Sequence, residues 1–149
     1  MSFYHAVEGI FGAIRREGHL RFHIMIAVLI SIFAHFYGIS RIEWAILIVA
    51  ISLVIGAELI NTAIEQSVNT ATTEIKPSAK LAKDAAAGAV LVFAVIAVLV
   101  GICLFGDISK IAETLKLIFT TPKILTPCLL AGVLLLIFTI YGGKNDKKI

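Results

Sequence analysis

Glu58 lies inside an apolar run, Ile55-Gly-Ala-Glu-Leu-Ile-Asn-Thr-Ala-Ile-Glu65. A carboxylate at membrane depth costs about 2.5–3.5 kcal/mol on insertion scales, so such a residue normally faces a bundle interior or a wet cavity and serves a function there. Asn61 and Glu65 follow at i+3 and i+7, which projects all three side chains from one helical face. Interhelical hydrogen bonding is one account of the stripe, at about 0.6 kcal/mol per bond. Serine or threonine would do that work at lower desolvation cost. Two carboxylates two turns apart, with an amide between them, can instead bind a divalent cation and still supply a general base.

A second constellation is Glu74-Ile-Lys-Pro-Ser-Ala-Lys-Leu-Ala-Lys-Asp84, directly before another apolar run. Pro77 suits the first turn of a helix, where its missing N–H costs nothing. Lys76, Lys80 and Lys83 would anchor that turn on an anionic membrane surface. Anchoring leaves Lys83-Asp84, at the point of entry, without an account. A cation there suits a phosphate, and an acid there can hold a ribose or a metal-bound water. The third is Glu17, in Arg15-Arg-Glu-Gly-His-Leu-Arg-Phe-His23. A single interfacial glutamate is ordinarily just solvated. His19 and His23 have a spacing that can bind zinc, but no third ligand stands nearby. Cys103 and Cys128 lack metal-ligand spacing and read as small apolar side chains.

The absent motifs narrow the chemistry. The chain has no Gly-x-x-x-x-Gly-Lys-Ser/Thr loop, no Gly-x-Gly-x-x-Gly, no Gly-x-Ser-x-Gly elbow and no zincin helix. Any nucleotide chemistry must use carboxylate-held metal and scattered lysines.

The elements that position these residues are membrane helices. The 149 residues are 59% hydrophobic with a mean hydropathy of +0.98, against about 45–50% apolar in soluble domains. Four stretches are candidate spans: Phe22–Tyr37, Trp44–Ala63, Ala85–Phe105 and Leu125–Tyr141. The fourth is short and interrupted near its start by Pro127, so a three-span chain with a peripheral tail is the alternative. Gly38–Glu43 is a tight connection that makes the first two spans an antiparallel hairpin. Two amphipathic segments should lie on the membrane surface, one built on Phe3, Val7, Ile10, Phe11 and Ile14, the other on Ile108, Ile111, Leu115 and Ile118. The N-terminus lacks the pattern of a signal peptide, because a charged periodic segment precedes the first apolar run.

With four spans, Arg15, Arg16, Arg21, Lys76, Lys80, Lys83, Lys144, Lys147 and Lys148 share one side, against Arg41, Lys110, Lys116 and Lys123 on the other. The positive-inside rule then puts both termini in the cytoplasm. The net charge of +3 is modest, and no nucleic-acid partner is expected. The expected fold class is all-α: an integral membrane helical bundle with an N-terminal amphipathic surface helix, three core transmembrane helices and a fourth C-terminal one. Residues 1–106 would form the functional domain, and 107–149 an amphipathic linker, the extra helix and a basic cytoplasmic tail.

Taken together, Glu58-Leu-Ile-Asn-Thr-Ala-Ile-Glu65, Ala79-Lys-Leu-Ala-Lys-Asp-Ala-Ala-Ala-Gly-Ala-Val90 and Glu17 followed by Arg21 and His23 resemble the small prokaryotic diacylglycerol kinase/undecaprenol kinase family, over roughly residues 3–106. The resemblance implies a homotrimer in the bacterial inner (plasma) membrane, with active sites shared between subunits at the cytoplasmic face. It implies transfer of phosphate from ATP to the primary hydroxyl of a membrane lipid. Glu58 would be the catalytic base, and Glu17 and Glu65 would hold Mg²⁺ on the ATP phosphates. Glu74, Ile75 and Lys76 would line the adenosine site, Lys83 and Asp84 would bind the polyphosphate, and Ala13, Glu58 and Asn61 would meet the lipid. Asn69 stands where the family commonly has aspartate, Lys76-Pro-Ser replaces a more usual His-Pro-Leu, and His19 replaces a frequent asparagine. Arg21-Phe-His23 and Ile60-Asn-Thr-Ala-Ile64 look more like the undecaprenol branch, with diacylglycerol the alternative acceptor. The rival from another class is a small ion or proton transporter subunit using Glu58. A transporter should place polar groups through the full membrane depth, whereas here the acids gather toward one face.

Overall fold

The computed structural model describes residues 2–71 and 76–143, which form six helices and no strand. Helix α1 spans Ser2–Arg16, α2 Gly18–Tyr37, α3 Arg41–Ala71, α4 Pro77–Leu104, α5 Ile108–Thr120 and α6 Pro122–Tyr141. Four of them, α2, α3, α4 and α6, are long and apolar enough to cross a membrane. The expected all-α membrane bundle is borne out, with a helix over the stretch where a fourth span was expected.

Local chemistry sets the boundaries. Glu17 has extended backbone between α1 and α2, and its N–H still donates to the Ala13 carbonyl at 2.8 Å, so the chain turns a corner there. Gly38 ends α2 at φ 72°, the left-handed conformation that costs glycine little, and its N–H closes the last turn on Ala34 at 3.0 Å. Ser40 and Glu43 then cap α3 reciprocally. The Glu43 N–H donates to Ser40 Oγ at 3.3 Å, and the Ser40 N–H to Glu43 Oε2 at 2.6 Å. Pro77 opens α4, and Asp107 caps α5 by accepting from the Lys110 N–H at 3.0 Å.

Helix α3 has 31 residues and α4 has 28. At 1.5 Å per residue each exceeds the roughly 30 Å hydrocarbon thickness. The excess lies at the end carrying Glu65 and Lys83, beyond the apolar runs Trp44–Ala63 and Ala85–Phe105.

The buried residues of α3 form one stripe: Leu47, Ala50, Val54, Ala57, Glu58 and Thr62. Helix α4 packs on α3 along the longest interface in the molecule, and among the described residues it contacts no other helix closely. Helix α2 packs on another side of α3 and is backed by α5 and α6. At the end remote from Glu58, Ala34, Tyr37, Ile39, Leu47 and Phe105 make a compact core. There the Phe105 ring meets Phe33 and Tyr37 edge-on, with centroids 5.4 and 5.1 Å apart. Lys110 of α5 stands 4.2 Å over the Tyr37 ring and fastens the surface helix to this end. Between these ends α2 and α4 separate, leaving a groove floored by α3.

Candidate active site

The groove has a volume of about 390 Å³. Phe22, His23 and Ile26 line it from α2, Val54 from α3, and Ala94 and Gly101 from α4. Small residues on α4 keep that wall low, and every other lining side chain except His23 is apolar. The α3 stripe that floors the groove carries on past Val54 to Glu58, the one buried carboxylate of the described spans, which the groove meets through His23.

Glu58 is 5% exposed. Its Oε1 lies 3.1 Å from His23 Nε2 of α2, its only side-chain partner among the described residues. One turn on, Thr62 is also buried, and its hydroxyl donates to the Glu58 carbonyl at 2.9 Å, which stiffens the turn carrying the acid. Asn61 and Glu65 share the face that their spacing predicts: Asn61 Nδ2 donates to Glu65 Oε1 at 3.1 Å. The amide oxygen Oδ1 of Asn61 is buried without a partner. Turning the amide over would offer an oxygen to the carboxylate, so the bond to Glu65 fixes which end is left open.

Across the next interface, Lys83 Nζ of α4 donates to Asn69 Oδ1 of α3 at 2.6 Å. Asn69 thus has a specific role as the neutral partner of Lys83. It aims the ammonium without cancelling its charge, as an aspartate there would. Ala13 is buried on α1, facing α3 in a cleft of about 410 Å³ shared with Leu59, Thr62 and Gln66. Glu17 is half-buried at the α1–α2 corner, Asp84 is exposed on α4, and among the described residues neither side chain has a hydrogen-bond or ion-pair partner. Lys76 caps the start of α4. Glu74 and Ile75 lie outside the described residues.

The structure therefore brings together Glu58 with His23, Asn61 with Glu65, and Lys83 with Asn69. It does not join His19 to His23, and no three His, Cys, Asp or Glu side chains gather around a common point among the described residues. A cage for a metal bound by protein alone is absent there. Mg²⁺ needs no such cage, because it usually binds one or two carboxylates together with substrate phosphates and water. Glu17 and Glu65 are half-buried hard oxygen donors of the right kind, so the residues fit an ion delivered on a polyphosphate.

Arg21 is the other residue whose role the sequence conceals. It is 7% exposed although charged. Nη1 donates to the carbonyls of Ile14 and Arg15, both at 2.8 Å, and Nε donates to the Thr139 carbonyl at 3.2 Å. One guanidinium thus caps the last turns of both α1 and α6, where carbonyls lack intrahelical partners. Neither His23 nor Arg21 is distinguishable by spacing, because each is defined by a partner on another helix.

The fold and site are those of a multi-span helical membrane protein with a buried carboxylate beside an apolar groove, and lysine and carboxylate groups just beyond it. The chain belongs to the prokaryotic diacylglycerol kinase family, whose model matches residues 4–105, and it is a lipid kinase. It is 44% identical over 104 residues to an undecaprenol kinase from Bacillus subtilis (strain 168), covering 70% of this chain and 85% of that one. A diacylglycerol kinase from Synechocystis sp. is 38% identical over 105 residues, covering 70% of this chain and 60% of its own length. One from Helicobacter pylori (strain ATCC 700392 / 26695) is 32% identical over 91 residues, covering 61% and 71%. No solved structure matches significantly.

Proposed function

We propose that the protein transfers the γ-phosphoryl group of Mg-ATP to the primary hydroxyl of undecaprenol, giving undecaprenyl phosphate. The reaction takes place at the cytoplasmic face of the bacterial plasma membrane, in a homotrimer whose subunits share active sites. The observation that carries this reading is the apolar groove that reaches His23, the partner of buried Glu58. A lipid tail can lie between α2 and α4 while its hydroxyl reaches the carboxylate without leaving the bilayer. The nine-to-four bias of basic residues supports the cytoplasmic placement. The likeness to an undecaprenol kinase, together with Arg21-Phe-His23, favours undecaprenol over diacylglycerol.

Phosphoryl transfer demands alignment and neutralisation of charge more than covalent chemistry. The lipid oxygen attacks the γ-phosphorus as its proton passes to Glu58. The bond to the β-phosphate oxygen breaks, and ADP leaves. Lys83, aimed by Asn69, balances the polyphosphate charge beside Asp84. Glu17 and Glu65 would hold a magnesium ion, which would supply Lewis-acid stabilisation of the phosphates when bound. Asn61 and Ala13 line the approach of the lipid, and Glu74, Ile75 and Lys76 border the adenosine.

Parallel assays with undecaprenol and a diacylglycerol in detergent–lipid micelles test the acceptor. Faster transfer of labelled phosphate from Mg-ATP to undecaprenol is the expected result. Preference for diacylglycerol would move the protein to phospholipid turnover, and transfer to neither from folded protein would overturn the proposal.

A further inference from the structure

Glu58 is nearly enclosed, its side chain 7% exposed, and its one side-chain partner among the described residues is His23. A buried polar group needs a hydrogen-bond partner. His23 supplies one to Glu58 from a different helix. Its Nε2 is 3.1 Å from Oε1, and its ring is steadied edge-on by Phe22, with centroids 5.9 Å apart. The His23 side chain is itself 24% exposed and lines the groove, so it stands where the groove meets the acid.

We infer that His23 is a positioning residue for phosphoryl transfer, donating from Nε2 to Glu58 Oε1 so that Oε2 faces the acceptor hydroxyl. The inference rests on the reading of Glu58 as the base and deepens it. In this geometry Nε2–H is the donor and Glu58 Oε1 the acceptor. The hydroxyl proton goes to Oε2, and His23 itself gains and loses nothing. Because α2 supplies the donor and α3 the base, the pair also registers the α2 wall of the groove against its α3 floor. A displacement of about 1 Å at such a group costs on the order of 100-fold in rate.

The test uses two polar replacements of different reach in the full-length protein. The Gln side-chain amide nitrogen stands near the place of Nε2, whereas that of Asn stands near Nδ1 and stops short of Glu58. His23→Gln should keep kcat within about threefold of native, while His23→Asn should lose roughly 10–100-fold. KM for ATP should stay unchanged in both, a split that general loosening of the bundle would not give. Native kcat in His23→Asn would overturn the inference, as would a fall in His23→Gln to the level of Glu58→Gln. The second criterion stands even if His23→Asn fails to fold. Glu58→Gln run alongside separates the two claims. If it is inactive while His23→Asn is normal, only the role of His23 falls. If it is active, the reading of Glu58 falls and takes His23 with it.

Discussion

The guanidinium of Arg21 donates to the carbonyl of Thr139 at 3.2 Å, joining residues 118 positions apart in sequence. The contact ties the start of α2, inside the family-matched region, to the end of α6, outside it. Thr139 adds a second tie through its hydroxyl, 3.5 Å from the sulfur of Met25. The C-terminal helix is therefore docked at the same end of the molecule as Glu58 and Glu65.

Loss of that guanidinium should be expensive. Arg21→Ala leaves the carbonyls of Ile14, Arg15 and Thr139 without their charged donor, and bonds to charged groups contribute about 1.5–3 kcal/mol each. A markedly lower thermal midpoint in detergent is expected. Arg21→Lys should recover little of it, because one ammonium cannot reproduce a fork that serves two helices.

The same clamp can be disturbed without changing any charge. A Cβ on Gly143 would meet the Arg15 carbonyl oxygen at 2.8 Å and Arg21 Nη2 at 2.8 Å. Gly143→Ala should therefore lower the thermal midpoint. The combined effect with Arg21→Ala should fall short of the sum, since the two share a contact.

Lys83 should act on the nucleotide. Lys83→Met removes a charge-assisted contact to phosphate and should raise KM for ATP by about 10–100-fold, with KM for the lipid little changed. Asn69→Ala, which only releases the lysine from its 2.6 Å bond, should have a smaller effect in the same direction. Steady-state kinetics with each substrate varied in turn decide both.

Chelation of divalent cations should abolish transfer, and magnesium should restore it. Glu65→Gln should shift the magnesium dependence to higher concentration, because a carboxylate donor becomes a weaker amide. An unchanged magnesium curve would remove Glu65 from the metal site.

Much of the fold was legible because a membrane span must be long and apolar. All four apolar runs became helices. Pro77 marked the start of α4, but the inner end of α3 was not legible, because α3 continues to Ala71, past its apolar run, where hydropathy carries no signal. There the turns are polar, with Ser67 and Thr70 bonding carbonyls four residues back. Asn61 and Glu65 could be placed on one face because they share a helix and its period. The pairing of His23 with Glu58 depends on how α2 and α3 rotate against each other, which no spacing within either helix encodes. Arg21 read as one more basic residue of the cytoplasmic side, and its burial follows from two helix ends that converge only in three dimensions.

The central claim is that Glu58 takes the proton of the lipid hydroxyl, and single-turnover phosphate transfer by Glu58→Gln, beside native protein and with ATP binding measured on both, tests it most directly. The account predicts native ATP binding with transfer reduced by about 100-fold or more, since general-base catalysis contributes roughly 10²–10⁴-fold. Transfer at the native rate by Glu58→Gln would contradict it.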